Sequence, residues 1–170
     1  GSYSRAAVSV SDNTAANLLL ALVEGPAGLT RFARASGDDV TRLDRDEPTL
    51  NSNHAGDARD TTSPRAMAGS LERIVLGEAL SPTSRDLLRG WMESCETCDG
   101  RLRAGLPSGW RAADKTGTGL RGATNDVGIL WPPAGAPIVV AAYQSDSAAA
   151  AEALVAAHVT IARIVTAALA

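Results

Sequence analysis

Three extended runs follow one another late in this chain, at 111–118, 125–131 and 137–144, and an alanine-rich helical pattern at 147–169 comes after them. The last two runs are joined by Pro132-Pro133-Ala134-Gly135-Ala136-Pro137. A connection this short demands antiparallel neighbours, because a parallel crossover needs a dozen residues or more. The coarse order is helices, long loop, helices, three consecutive strands, helix. Segregated elements of this kind predict an α+β architecture, since alternation would be needed for a parallel sheet. With 170 residues, 45% of them hydrophobic, the chain is long enough to bury one core. We divide it into a helical part, 1–100, and an α/β part, 101–170.

Residues 4 to 24 carry a helical pattern broken at Ser11-Asp12-Asn13, after which Ala15-Ala16-Asn17-Leu18-Leu19-Leu20-Ala21-Leu22-Val23 resumes it. Any one of the three polar residues would serve as a cap; three in succession leave polar groups to spare. Asn17, an amide within an apolar helix, needs a partner if it is buried. Gly25-Pro26-Ala27-Gly28 reads as the end of that helix, and Leu29 to Ala35 as a short one of its own. Helices are also expected from Thr61-Thr62-Ser63-Pro64 to about Leu76 and after Ser81-Pro82-Thr83, with Met67, Leu71, Ile74, Leu87, Leu88, Trp91 and Met92 packing in the core. His158 reads as a core or boundary histidine on the last helix.

Between the third helix and the fourth, residues 38 to 61 show no periodicity and many charges. A loop of this length in a compact domain is usually functional. Arg45 and Asp60 can pair across its neck and so present Glu47 and Asn51 together. The second conspicuous stretch is Asp114-Lys115-Thr116-Gly117-Thr118-Gly119, because Lys115 is the only lysine in the chain. On a strand Lys115 and Thr116 point to opposite faces, and the glycines open the backbone to a ligand. The combination suits an anion and a polarised carbonyl.

Net charge is −3 with scattered arginines, which argues against a nucleic-acid surface or a polybasic membrane anchor. No stretch reads as a membrane span, and Gly1-Ser2 reads as a cloning remnant rather than part of a leader. Cys95 and Cys98 form a lone Cys-x-x-Cys without further nearby ligands, so a local disulfide or two free thiols is expected in preference to a metal site. No metal or cofactor is expected.

Taken in order, Ser11-Asp12-Asn13, Arg45-x-Glu47-Pro48-x-Leu50-Asn51 and Lys115-Thr116-Gly117 closely resemble the motifs of the class A serine β-lactamases. Arg59-Asp60-Thr61-Thr62, Trp91-Met92 and Asn125-Asp126 leading to Trp131-Pro132-Pro133 extend the likeness over 4–170. It implies the β-lactamase/penicillin-binding fold and a secreted or periplasmic bacterial protein acting on β-lactams. It further implies that Glu47 activates the deacylating water on an omega loop, with Asn51 helping to hold that water. Ser11 would relay a proton to the lactam nitrogen, and Asn13 would bind the substrate's side-chain amide. Lys115, Thr116, Gly117 and Thr118 would form the carboxylate site, with the Thr118 N–H half of an oxyanion hole. Arg101 would replace the arginine that many relatives carry where Thr124 stands here. Asn17 would brace the loop, and Arg45 with Asp60 would pin it.

One motif departs from the pattern. The nucleophilic Ser-x-x-Lys is absent from these 170 residues: the only lysine is Lys115, and residue 112 is alanine. The family's N-terminal helix and first two strands are also missing. The expectation is therefore a C-terminal portion, inactive alone and completed by an N-terminal segment carrying Ser-x-x-Lys, with strand 137–144 exposed as an edge. The alternatives are an inert assembly or folding module, a penicillin-binding D,D-peptidase relative, which the glutamate disfavours, and Ser11 itself as nucleophile, which lacks a neighbouring base in sequence.

Overall fold

The structure is a computed structural model that describes residues 1–169. Six α-helices and three strands follow the expected order: α1 (Ser2–Ser9), α2 (Asn13–Leu22), α3 (Gly25–Ala35), α4 (Pro64–Leu71), α5 (Pro82–Glu93), β1 (Arg111–Thr118), β2 (Thr124–Trp131), β3 (Ile138–Gln144) and α6 (Ala151–Leu169). The start of α2 is set by Asp12, whose carboxylate accepts from the Ala15 N–H at 2.8 Å. Ser63 and Ser81 cap α4 and α5 in the same way, each followed by proline in the first turn. Gly25-Pro26 opens α3 and does not simply end α2. Proline lacks the N–H that a first turn leaves unpaired, which is why it is tolerated there. A π-helical turn, Glu72–Leu76, prolongs α4, and a 3₁₀ turn, Leu102–Gly105, precedes β1.

The sheet is antiparallel in the order β1-β2-β3, with Lys115 opposite Val127 and Thr116 opposite Asp126. Side chains alternate across it, so that adjacent residues serve different cores. Ala113 and Ile129 pack with Leu71, Val75 and Met92 from the helices on one face. Leu130 and Val140 pack with Leu102 and with Ala162 of α6 on the other. Ile129, Leu130 and Leu102 are wholly buried, each contributing about 2 kcal/mol from removal of apolar surface. Gly105 lets the 3₁₀ turn meet α6: a Cβ there would lie 2.3 Å from the Val159 carbonyl oxygen.

Much apolar surface remains open. Leu87 of α5 is half exposed, contrary to its expected place in the core, and Leu18 and Leu22 of α2 are exposed at 45% and 79%. In α6 only Leu154, His158, Ala162 and Thr166 are buried, while Ile164 is 63% exposed. His158 therefore belongs to the core. Among the described residues β3 pairs only with β2. The expectation of no membrane-length segment also needs correction: α6 has 19 residues and a mean hydropathy of 1.5, long and apolar enough by those measures to cross a bilayer. Its alanines raise the hydropathy of a helix whose inner face lies on the sheet.

Candidate active site

Four segments distant in sequence meet at one cleft of about 470 Å³, lined among others by Ser11, Asn13, Glu47, Asn51, Arg101 and Lys115–Thr118. The first is the turn between α1 and α2, where Ser11 has φ 57° and is lifted out of the helical path. Its hydroxyl accepts a hydrogen bond from the Lys115 ammonium, which also donates to the Thr116 carbonyl at 2.7 Å. Burial lowers the Lys115 pKa, the Asp126 carboxylate acting against it and the Arg101 charge with it. Asn13 opens α2 beside them on the cleft wall.

The second segment is the loop 38–61. At its neck Asp60 accepts from the Arg45 Nε at 2.6 Å and from the backbone N–H groups of Asp44 and Arg45 at 2.7 and 2.9 Å. Arg45 also donates to the Ser52 hydroxyl at 2.8 Å. Asp38 anchors the loop's start: burial pushes its pKa up, but donors from Thr41, Ser70 and Val40 outweigh this and hold it well below the usual carboxylate range. Further in, Asn17 clasps Glu47 twice, its amide nitrogen donating to the Glu47 carbonyl and its oxygen accepting the Glu47 N–H, both at 2.9 Å. This is the partner that an amide in an apolar helix required. Asn51 Nδ2 donates to Glu47 Oε2 at 2.5 Å, so carboxylate and amide are presented together. The loop docks on the end of β1 through the Leu120 N–H, which donates to the Asn51 carbonyl at 2.9 Å.

β1 supplies the third segment and Arg101 the fourth. The Arg101 guanidinium donates to the Gly117 carbonyl at 2.8 Å, to the Asn125 carbonyl and to the Thr118 hydroxyl at 2.5 Å. Thr124 sits opposite Thr118 and is buried, so the cation at this end of the cleft is Arg101.

Beneath β1 lies a group that sequence reasoning missed. Asp114 and Asp126 are fully buried on one sheet face, and a carboxylate oxygen of each has no partner among the described residues. Arg103 donates to Asp114 at 2.6 Å and the Leu102 N–H to Asp126 at 3.1 Å. Both carboxyl pKa values are raised, first by burial and, at Asp114, next by the neighbouring Asp126 charge. Gly128, opposite Asp114, gives them room, since a Cβ there would lie 2.6 Å from the Asp114 Cβ. The strand alternation that places Thr116 away from Lys115 also places Asp114 and Asp126 on the covered face, so the signal was available. Thr97 was missed as well: it lines the cleft, and its hydroxyl lies 2.7 Å from that of Thr116. Cys95 and Cys98 on either side of it form a disulfide.

This arrangement offers an anion two cationic side chains and several hydroxyls, and it offers a water molecule a carboxylate paired with an amide. The profile of the Beta-lactamase enzyme family matches residues 3–169. A β-lactamase of Streptomyces albus G is 53% identical over 133 residues, covering 78% of this chain and 42% of its own length. Beta-lactamase CTX-M-25 of Escherichia coli is 47% identical over 166 residues, covering 98% of this chain and 57% of its own. Among solved structures, an ancestral class A β-lactamase superposes with TM-score 0.97 at 53% identity, covering 99% of this chain and 65% of that one. A putative class A β-lactamase, PenP from Rhodopseudomonas palustris, gives 0.97 at 50%, covering 99% and 64%. The chain thus spans about half the length of the curated relatives it matches. Over nearly all of its own residues it belongs to the β-lactamase enzyme family and is of the class A type.

Proposed function

We propose that this chain supplies the anion-binding and deacylating side of a class A β-lactamase site. The carrying observation is that a single cleft holds both the Glu47–Asn51 pair and the bonded Lys115–Ser11 pair. The carboxylate of a β-lactam binds Lys115, Thr116 and Thr118, with Arg101 fixing the Thr118 hydroxyl, while Asn13 holds the substrate's side-chain amide. The nucleophilic serine comes from an N-terminal Ser-x-x-Lys segment outside this sequence. Its oxygen adds to the lactam carbonyl as its proton passes to the lysine of Ser-x-x-Lys; the C–N bond then breaks, and that proton reaches the leaving nitrogen through the Ser11 hydroxyl. Glu47 then takes a proton from a water held with Asn51, and the hydroxide so formed adds to the acyl carbonyl. The Thr118 N–H supplies half of the donor pair for the oxyanion. Collapse of the tetrahedral intermediate breaks the bond to the serine oxygen, which takes back the proton that Glu47 removed from the water.

Export to the periplasm or the medium is part of the same reading, and the disulfide supports it, since such bonds persist in oxidising compartments. Intact mass of the denatured protein before and after exposure to benzylpenicillin tests the shared site. The expected result is an acyl adduct only on a second polypeptide that carries Ser-x-x-Lys, and accumulation of that adduct when Glu47 is replaced by alanine. Steady turnover by the 170-residue chain alone, lost in Glu47→Ala, would overturn the shared site.

A further inference from the structure

Cys95 and Cys98 close a loop with a sequence separation of only three residues. A loop so short removes little chain entropy from the unfolded state compared with a long one, so the bond's main effect is local geometry. What it constrains is the dipeptide Glu96-Thr97, of which Thr97 lines the cleft and Glu96 reaches the end of α1. The Glu96 N–H donates to the Ser9 carbonyl at 2.8 Å, just before the turn that carries Ser11. Ser9 itself is buried, and its hydroxyl donates to the Trp91 carbonyl at 2.9 Å. On the other side, the Thr97 hydroxyl lies 2.7 Å from the Thr116 hydroxyl and 3.3 Å from Cys95 Sγ, which as a disulfide sulfur can only accept; of the two acceptors for the single Thr97 proton, the oxygen is the stronger and the nearer. The sulfurs are buried: Cys95 is 2% exposed and Cys98 is 0%, with Cys98 Sγ 3.4 Å from the Asp114 carbonyl oxygen. One four-residue ring therefore touches both Ser9, two residues before Ser11, and Thr116 on β1.

We propose that the Cys95–Cys98 disulfide is a positioning device for the substrate cleft, holding Thr97 so that its hydroxyl donates to Thr116 and leaves the Thr116 proton free for an anionic substrate. Thr97 and the two cysteines act through Thr116. The substrate part rests on the β-lactam reading above; the positioning part does not. A hydroxyl that accepts one hydrogen bond becomes a better donor in the next, which is how a fixed Thr97 would strengthen the Thr116 contact. The same ring, through Glu96, keeps the Ser11 turn in reach of Lys115.

The test uses the oxidised full chain and four variants: Thr97→Val, Thr97→Ser, Cys95→Ser/Cys98→Ser, and the last combined with Thr97→Val. Benzylpenicillin is titrated in while the Thr116 and Thr118 amide resonances are followed, and hydrogen exchange at the Glu96 amide is measured without ligand. Losing one hydrogen bond predicts about fivefold weaker binding for Thr97→Val, with Thr97→Ser restoring it. The double cysteine variant is expected to match Thr97→Val in affinity, to gain no further loss from Thr97→Val, and to exchange the Glu96 amide about tenfold faster. Unchanged Glu96 exchange in the double cysteine variant overturns the positioning role. Failure of Thr97→Ser to restore binding, or additive losses, overturns the route through Thr116. If the unmodified chain shows no response to benzylpenicillin, the β-lactam reading of this chain fails, and the exchange measurement still decides the positioning role.

Discussion

The residues that shape the cleft are held by a few heavily loaded polar groups. Asp60 takes three donors from Asp44 and Arg45, and its side chain is almost fully covered. Asp60→Ala leaves the Arg45 guanidinium, 20% exposed, without its carboxylate, a loss of about 3 kcal/mol for a partner removed from a largely buried pair. Urea unfolding measures it, and limited proteolysis should cut first within 38–61. The buried pair beneath β1 acts in another pH range. Burial is the largest cause that raises Asp114 to about 7 and Asp126 to about 6, whereas an unfolded aspartate titrates near 4. Between roughly pH 4 and 7 the folded chain binds more protons than the unfolded one, so stability falls as pH rises through that window. Asp38 works in the opposite sense and lower: its depressed pKa gives stability that is lost as pH falls below the usual carboxylate range. Urea midpoints at about pH 5 and about pH 8 should differ, and Asp126→Asn should shrink the difference. An equally steep profile in Asp126→Asn would contradict this assignment.

At the level of elements, the sheet is covered on both faces but open at its far edge. β3 offers the outer side of Ile138–Gln144, and α6 and α2 offer apolar faces with Ile164, Leu18 and Leu22 exposed. An unpaired apolar edge templates further strands, so the chain by itself should self-associate as its concentration rises. Sedimentation velocity over a hundredfold concentration range reads this out, and Ala141→Lys, which puts a charge on the edge strand, should reduce it. A monomer at every concentration would mean that the edge is protected by twist or by neighbouring side chains. The helices show why pattern and burial diverge: α2 is apolar nearly all round, yet only Ala15 in it is buried.

For the molecule as a whole, its relatives match 78% to 99% of this chain over 42% to 65% of their own length. On the shared-site reading proposed above, adding the Ser-x-x-Lys segment of a relative as a separate polypeptide should raise thermal stability with concentration and suppress self-association; at a hundredfold excess over Kd the gain is about 3 kcal/mol. Calorimetry against segment concentration checks it, and a midpoint unmoved at saturating segment counts against completion in trans. The sequence by itself determined the order of elements, the antiparallel sheet and its strand limits to within a residue, because alternation and turn chemistry are local. It also singled out Glu47, Asn51, Lys115 and Ser11, because ordered motifs preserve residue type and spacing. The likeness to the family assigned Asn17 to the loop and Arg101 to the carboxylate end, but only the tertiary structure gave the contacts, Asn17 to the Glu47 backbone and Arg101 to the Thr118 hydroxyl, since they cross 30 and 17 residues. The same is true of the buried Asp114 and Asp126 and of the disulfide that sets Thr97 against Thr116. Charge burial and contact across a cleft depend on which faces pack together, and spacing along the chain does not encode that directly.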